Sequence, residues 1–273
     1  MKRLVVALLF LAACSQKQPV VVGSKNFTES VILGEMVAQT LERAGCTVDR
    51  KLNMGGTFVC DSAMTSGSLD TYVEYSGTAL EAILKQPKAD VTAAYAKRGL
   101  HWGPALGFNN TFAMIVRRDD AKRVPLQTIS DLRKVADQFQ PGFGYEFVER
   151  PDGWNGLLAA YGITFAKPPK TMDLGLTYKA LASNEVDLIA GNSTDGLIES
   201  LGLIALADDR HYFPRYDAAI VYRNDLDKKC RGASQALEKL RGRLDDAAMR
   251  RLNYEVDGRK RDVAAVAHDA LGR

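Results

Sequence analysis

Apolar and polar positions along the chain alternate between two periods, and this alternation sets the expected architecture. Residues 19–22 form a short apolar run ended by Gly23-Ser24 and read as a strand. Over residues 28–44, Val31, Leu33, Val37, Leu41 and Ala44 recur at helical spacing, and Gly45 closes the segment. Residues 47–52 alternate as a strand does and break at Asn53-Met54-Gly55-Gly56. A short helix is expected over 58–65, stopped by Ser66-Gly67, then a strand over 70–75. Thr78-Ala79-Leu80-Glu81 has the spacing of a capping box and predicts a helix reaching Lys85. Strands are expected at 112–116, 186–190 and 218–222, and helices at 130–139, 153–161, 176–181 and 196–201. From 234 to 271 the pattern is helical only. Such alternation implies an α/β fold, its parallel or mixed sheets covered by helices on both faces.

The first residues follow a different rule. Lys2 and Arg3 precede an unbroken apolar run over residues 4–11, and Ala12-Ala13-Cys14 leads into the polar Ser15-Gln16-Lys17-Gln18. The run is too short to span a bilayer, which needs about 20 residues, so residues 1–13 read as a signal peptide. Leu11-Ala12-Ala13-Cys14 resembles the lipobox of bacterial lipoproteins. That resemblance implies cleavage before Cys14, lipidation of its sulfur, and a translocated body tethered to a membrane. A periplasm-facing anchor is expected, with inner or outer membrane left open.

Composition excludes several classes. With 46% hydrophobic and 25% charged residues, the 273-residue chain is neither disordered nor low-complexity. Its net charge of +3 falls to +1 without Lys2 and Arg3, and its basic runs are short and scattered. A nucleic-acid partner is therefore not expected. No CxxC or HExxH motif occurs and the three histidines stand apart, so neither metal nor cofactor is expected. P-loop, GxGxxG and G-x-S-x-G motifs are also missing, which leaves an enzyme without a signature. Gly55-Gly56, between strand and helix, is a weak candidate for presenting amides to an anion.

The polar residues Lys25, Asn26, Asn109, Asn110, Arg150, Asp152, Asn192, Ser193 and Thr194 fall at loop positions, accompanied by Tyr75, Phe112 and Tyr216. Aromatic faces with cationic and amide groups, and no nucleophile–base pair, point to binding rather than catalysis. Lys25 precedes a helix N-terminus, where the helix dipole disfavours a cation, which argues for an anion-binding role.

Several segments together resemble one family. They are Gly23-Ser24-Lys25-Asn26-Phe27-Thr28-Glu29, Leu52-Asn53-Met54-Gly55-Gly56-Thr57 and Tyr72-Val73-Glu74-Tyr75-Ser76-Gly77-Thr78-Ala79. Leu106-Gly107-Phe108-Asn109-Asn110-Thr111-Phe112-Ala113, Arg150-Pro151-Asp152-Gly153, Val186-Asp187-Leu188-Ile189, Tyr216-Asp217-Ala218 and Leu252-Asn253-Tyr254 follow in order. They resemble the substrate-binding proteins of bacterial osmoprotectant ABC importers, the receptors for glycine betaine, carnitine and choline.

The resemblance implies a type II periplasmic-binding-protein fold, two α/β lobes with a ligand cleft between them. One lobe would comprise 14–107 and 214–273 and the other 108–213, with crossings near 106–110 and 213–216. A quaternary ammonium group would sit in a cage to which Tyr75, Tyr216 and Phe112 correspond. Lys25, Thr78 and Arg150 correspond to carboxylate-binding positions, and Asn110 to a polar position at the cage. Asn192 departs from the pattern, since the tightest betaine binders carry tyrosine there. Permease and ATPase subunits are the implied partners of a monomeric, lipid-anchored receptor. The alternatives are the same scaffold holding another cationic or zwitterionic metabolite, or a ligand sensor. With Cys14 set aside, Cys46, Cys60 and Cys230 allow at most one internal disulfide, and Cys46–Cys230 or Cys46–Cys60 would both lie within the first lobe.

Overall fold

Residues 18–272 are described by the structure, a computed structural model. The expected signal peptide, residues 1–13, and the expected lipidation site, Cys14, lie outside the described residues. The strands are β1 (Val20–Gly23), β2 (Val48–Lys51), β3 (Thr71–Tyr75), β4 (Leu100–Asn109), β5 (Phe112–Arg117), β6 (Pro141–Gly144), β7 (Lys170–Met172), β8 (Leu188–Asn192), β9 (Leu203–Leu206) and β10 (Asp217–Arg223). They form two sheets, ordered β2-β1-β3-β10-β4 and β7-β6-β8-β5-β9. β1 is parallel to β2 and β3, and β6 is parallel to β7 and β8. β10 and β5 are antiparallel to both of their neighbours. In each sheet, then, the strand arriving from the other lobe is inserted fourth, against the grain.

The chain leaves the first sheet through residues 110–111 and returns through 207–216. The two passages are hydrogen-bonded to each other. Asn110 N donates to Tyr216 O (3.1 Å), and Tyr216 N donates to Asn109 Oδ1 (2.7 Å). Asn110, Phe112 and Tyr216 therefore lie at the junction of the lobes because the topology puts them there.

Helix α1 (Thr28–Arg43) buries Ile32, Leu33, Met36, Val37 and Leu41, and packs on β1 and β3. The tail helices Asp246–Asp257 and Val263–Leu271 cover it, each started by an aspartate side chain (Asp245, Asp262) accepting a backbone N–H. Helix α2 (Thr57–Ser66) ends at Gly67, whose φ of +80° suits a residue without Cβ.

Two expected helices are corrected. Thr78 is not a cap: it has helical dihedrals (φ −61°, ψ −43°) inside a turn that opens at Ser76 and continues as a π-helix over Ala79–Ile83. A cap needs extended backbone; here the Thr78 hydroxyl instead accepts from Arg150 Nη1 at 3.3 Å. The helix expected at 130–139 is a 3₁₀ segment, Ile129–Lys134, which starts one position earlier because the capping box forms from Thr128 and Asp131.

Cys46 and Cys230 form a disulfide across 184 positions, and Cys60 is a buried free thiol whose pKa burial pushes up to about 12. The bond ties the turn after α1 to the start of the helical tail. Reducing it, or replacing Cys46 with serine, should lower stability by about 2–5 kcal/mol. Thermal melts with and without reductant check this; coincident melts would contradict it.

Candidate ligand-binding site

A cavity of about 90 Å³ lies between the lobes, and the eight residues to which the family resemblance points line it: Lys25, Tyr75, Thr78, Asn110, Phe112, Arg150, Asn192 and Tyr216; Asn26 lines it too, whereas Asn109, Asp152, Ser193 and Thr194 do not. They come from separate elements. Lys25 follows β1, Tyr75 ends β3, Phe112 opens β5, Asn192 closes β8 and Tyr216 precedes β10. In α/β folds the ends of strands are where side chains from distant segments converge. Gly56, the weak anion-binding candidate, lines the same space, as do Phe27, Glu146 and Phe147, to which the sequence assigns no ligand role.

Phe112 is the hub of the rings. Its centroid lies 5.5 Å from that of Tyr216 (76° between planes) and 5.0 Å from that of Phe147 (64°). Both are edge-to-face arrangements, which the ring quadrupoles favour. Tyr75 stands 6.2 Å from Phe27. Each of these two sets of rings also meets a protein cation: Lys25 Nζ is 5.1 Å from the Tyr75 centroid, and Arg150 Cζ is 5.1 Å from that of Phe112.

The proposed anion anchors are not free charges. Lys25 Nζ pairs with Glu74 Oε1 at 2.5 Å, and both side chains are buried. Glu74 also accepts from the Tyr72 hydroxyl (3.0 Å) and Tyr75 N (2.7 Å). Arg150 forks onto Asp152, Nε to Oδ1 at 2.8 Å and Nη2 to Oδ2 at 2.6 Å. Asp152 Oδ2 takes the Tyr216 hydroxyl as well, at 2.5 Å. A buried cation without a partner would be strongly unfavourable, and Glu74 and Asp152 remove that penalty. Donors remain for a ligand: an ammonium carries three protons, and Arg150 Nη1 reaches only as far as Thr78 Oγ1 at 3.3 Å.

Behind the Tyr75 ring lies Glu29, in the first turn of α1 and buried. Its carboxylate accepts from Tyr75 Oη (2.7 Å), Asn110 Nδ2 (2.8 Å), Thr194 Oγ1 (2.5 Å) and Asn253 Nδ2 (3.1 Å). Burial pushes its pKa up, and the four donors pull it back. Burial raises the Tyr75 and Tyr216 hydroxyls too, so both stay protonated donors.

Asn192 is half-buried. Its N–H donates to Asp195 Oδ2 (2.8 Å), which also accepts from the Tyr178 hydroxyl (2.6 Å). Burial pushes Asp195 up to about 6. Asn192 forms part of a second cavity as well, of about 360 Å³, lined by Asn26, Phe27, Tyr178, Asp195 and Asp257.

Gly77 is needed for close approach, since a Cβ there would sit 2.7 Å from the Tyr216 ring and 2.9 Å from Arg215 O; one on Gly56 would meet the end of the Glu146 side chain, from the other lobe. The weak anion-binding candidate at Gly55-Gly56 thus faces a carboxylate supplied by the protein itself.

Residues 18–273 match the substrate-binding domain of the ABC-type glycine betaine transport system. The carnitine transport binding protein OpuCC of Listeria monocytogenes is 34% identical over 284 residues, covering 96% of this chain and 91% of its own. The ergothioneine transport permease/ergothioneine binding protein EgtU of Helicobacter pylori is 36% identical over 266 residues and 94% of this chain. The chain spans about half of that relative, 48% of its length. A crystal structure of a glycine betaine/carnitine/choline ABC transporter superposes with a TM-score of 0.72 at 30% identity, covering 92% of this chain and 97% of that one.

Proposed function

The chain belongs to the family of substrate-binding domains of ABC-type glycine betaine transport systems, with the two-lobed α/β fold of type II periplasmic binding proteins, and from that premise we propose that it captures a small quaternary ammonium osmoprotectant outside the cytoplasm for delivery to an importer's permease and ATPase. The observation that carries this reading is the convergence of Tyr75, Phe112 and Tyr216 with Lys25, Thr78, Asn110, Arg150 and Asn192 on one interlobe cavity. A methylated ammonium has no N–H to donate, so ring faces are the groups that hold it. In the proposed pose the cationic head lies among the three rings and the polar end is met by Lys25, Thr78 and Arg150. No catalytic step is assigned.

The lobes are taken to divide at 107/108 and 213/214, beside the two passages of chain. The body is taken to be held at the membrane by lipid on Cys14, and loss of palmitate labelling in Cys14→Ser is the check.

A second reading is favoured by Asn192, which belongs to both cavities where a cage tyrosine would close one of them. The ligand would then be a longer betaine whose polar group passes Asn192, of the kind named for the ergothioneine-binding relative. Calorimetry of the full chain with glycine betaine, choline, carnitine and ergothioneine separates the two. Tightest binding of a compact osmoprotectant supports the first reading, and tightest binding of ergothioneine supports the second. Binding of none of the four would overturn both.

A further inference from the structure

Both cage tyrosines share an arrangement that Phe112 does not. Tyr75 donates its hydroxyl to Glu29 and Tyr216 donates its own to Asp152, and both carboxylates are at most 6% exposed. A phenol that donates to a carboxylate becomes richer in electron density across its ring, and the anion adds its own field in a poorly screened interior. Each effect favours a cation on the ring face over a neutral group of the same shape.

Glu29 has a second property that Asp152 lacks. Its four donors come from the end of β3 (Tyr75), the passage between lobes (Asn110), the loop after β8 (Thr194) and the tail helix Asp246–Asp257 (Asn253). Further bonds lace those donors together, Asn253 Nδ2 to Thr194 O at 3.0 Å and Thr194 N to Asn110 Oδ1 at 3.4 Å. A carboxylate has about four lone-pair sites, and all four are used. Two of the donors are amide N–H groups, which can only donate, and all four hydrogen bonds oppose the rise in pKa that burial imposes on the carboxyl.

We propose that Glu29 is a positioning residue for cation recognition: one carboxylate oxygen charges and orients the Tyr75 ring, and the other, bonded to Thr194 of the second lobe, ties the same side chain to closure of the lobes. Discrimination of a cationic from a neutral ligand and closure of the lobes then depend on one buried side chain. This rests on the quaternary ammonium reading.

The test compares choline with 3,3-dimethyl-1-butanol, its uncharged isostere, by calorimetry on the full chain. The ratio of the two affinities isolates the charge-dependent part of binding. Glu29→Gln keeps the shape and should lower that ratio about tenfold, equivalent to ~1.4 kcal/mol, whereas Glu29→Asp should recover part of it. Thr194→Val keeps the charge and removes the bond from the second lobe, so it should weaken both ligands together and leave the ratio unchanged. If Glu29→Gln does not fold, Tyr75→Phe breaks the same phenol–carboxylate bond and should also lower the ratio. A ratio that stays at the wild-type value in Glu29→Gln and Tyr75→Phe overturns the inference while the quaternary ammonium reading stands. Wild-type protein that binds neither compound, glycine betaine nor carnitine overturns that reading, and this inference with it.

Discussion

Glu74→Ala is expected to destabilise the protein by about 3–5 kcal/mol, the range for breaking a buried ion pair from one side. Glu74 has no solvent exposure and Lys25 has 3%, so deleting the carboxylate leaves an ammonium in the interior with no anion at 2.5 Å. The Tyr72 hydroxyl and the Tyr75 N–H lose an acceptor in the same step, each worth roughly 1–3 kcal/mol when left unsatisfied in the interior. The penalty comes mainly from the orphaned charge rather than from a gain the pair had made. Lys25→Met combined with Glu74→Leu should therefore recover much of the loss, since apolar replacement of a buried pair is often close to neutral. Denaturant unfolding of the wild type, the single variant and the double variant measures this. A single variant within about 1 kcal/mol of wild type would contradict the account, as would a double variant no more stable than the single one. The double variant also reports on the ligand's polar end: if Lys25 meets a carboxylate there, glycine betaine loses affinity while choline, which has none, is spared.

What could be read from the sequence was set by how local each cause is. Helix α1 was expected over 28–44 and is found at Thr28–Arg43, because a single buried face of apolar residues writes its period into the chain. Strand β6 left no such trace. Pro141-Gly142-Phe143-Gly144 has the composition of a turn, yet it is a fully buried strand between β7 and β8. Proline is tolerated at the first position of a strand, and Gly142 is there because a Cβ would lie 2.5 Å from Val186 Cγ1. The second reason is a contact with a distant residue, invisible to periodicity. Strand β4 was masked in the same way by Gly103, Pro104 and Gly107, which an edge strand beside β10 accommodates.

The site divides along the same line. The eight candidate residues sit in short motifs legible in the sequence and line one cavity, whereas the carboxylates that pair with them carry no such local signal. Lys25 meets Glu74 across 49 positions, and Glu29 meets Thr194 across 165. Glu29 and Phe27 lie in one segment that carries the family resemblance, and Asn253 in another. An acid in the first turn of a helix has an adequate local explanation in the helix dipole, and that hid its long-range one. Arg150 and Asp152 are two positions apart, so their pairing is local, whereas the burial of Arg150 beside the Phe112 ring depends on a distant strand.

Tyr216→Ala should weaken binding of a trimethylammonium ligand about ten- to hundredfold, or ~1.4–2.7 kcal/mol. One well-desolvated ring contact with a cation is worth roughly 0.5–2 kcal/mol. The change also leaves Asp152 Oδ2 without the hydroxyl it accepts at 2.5 Å and loosens the carboxylate that holds Arg150. Tyr216→Phe isolates the second part, because it keeps the ring and removes the bond, and its loss should be smaller. Gly77→Ala approaches the same ring from outside: the new methyl would stand 2.7 Å from it, so affinity should fall without any change in cage composition. Phe112→Tyr should matter least, since the face is retained. Asn192→Tyr runs the other way. The side chain stands at the boundary of the two cavities, which leaves a ring space to enter, and a fourth face should tighten a compact ligand about five- to thirtyfold, ~1–2 kcal/mol. The same ring would obstruct a ligand that reaches past position 192, so ergothioneine should bind more weakly to this variant if it is the natural solute. Titration calorimetry with both compounds therefore reads cage strength and ligand length from one substitution. Unchanged affinity for every ligand in Tyr75→Ala, Tyr216→Ala and Asn192→Tyr alike would show that the rings are packing rather than recognition.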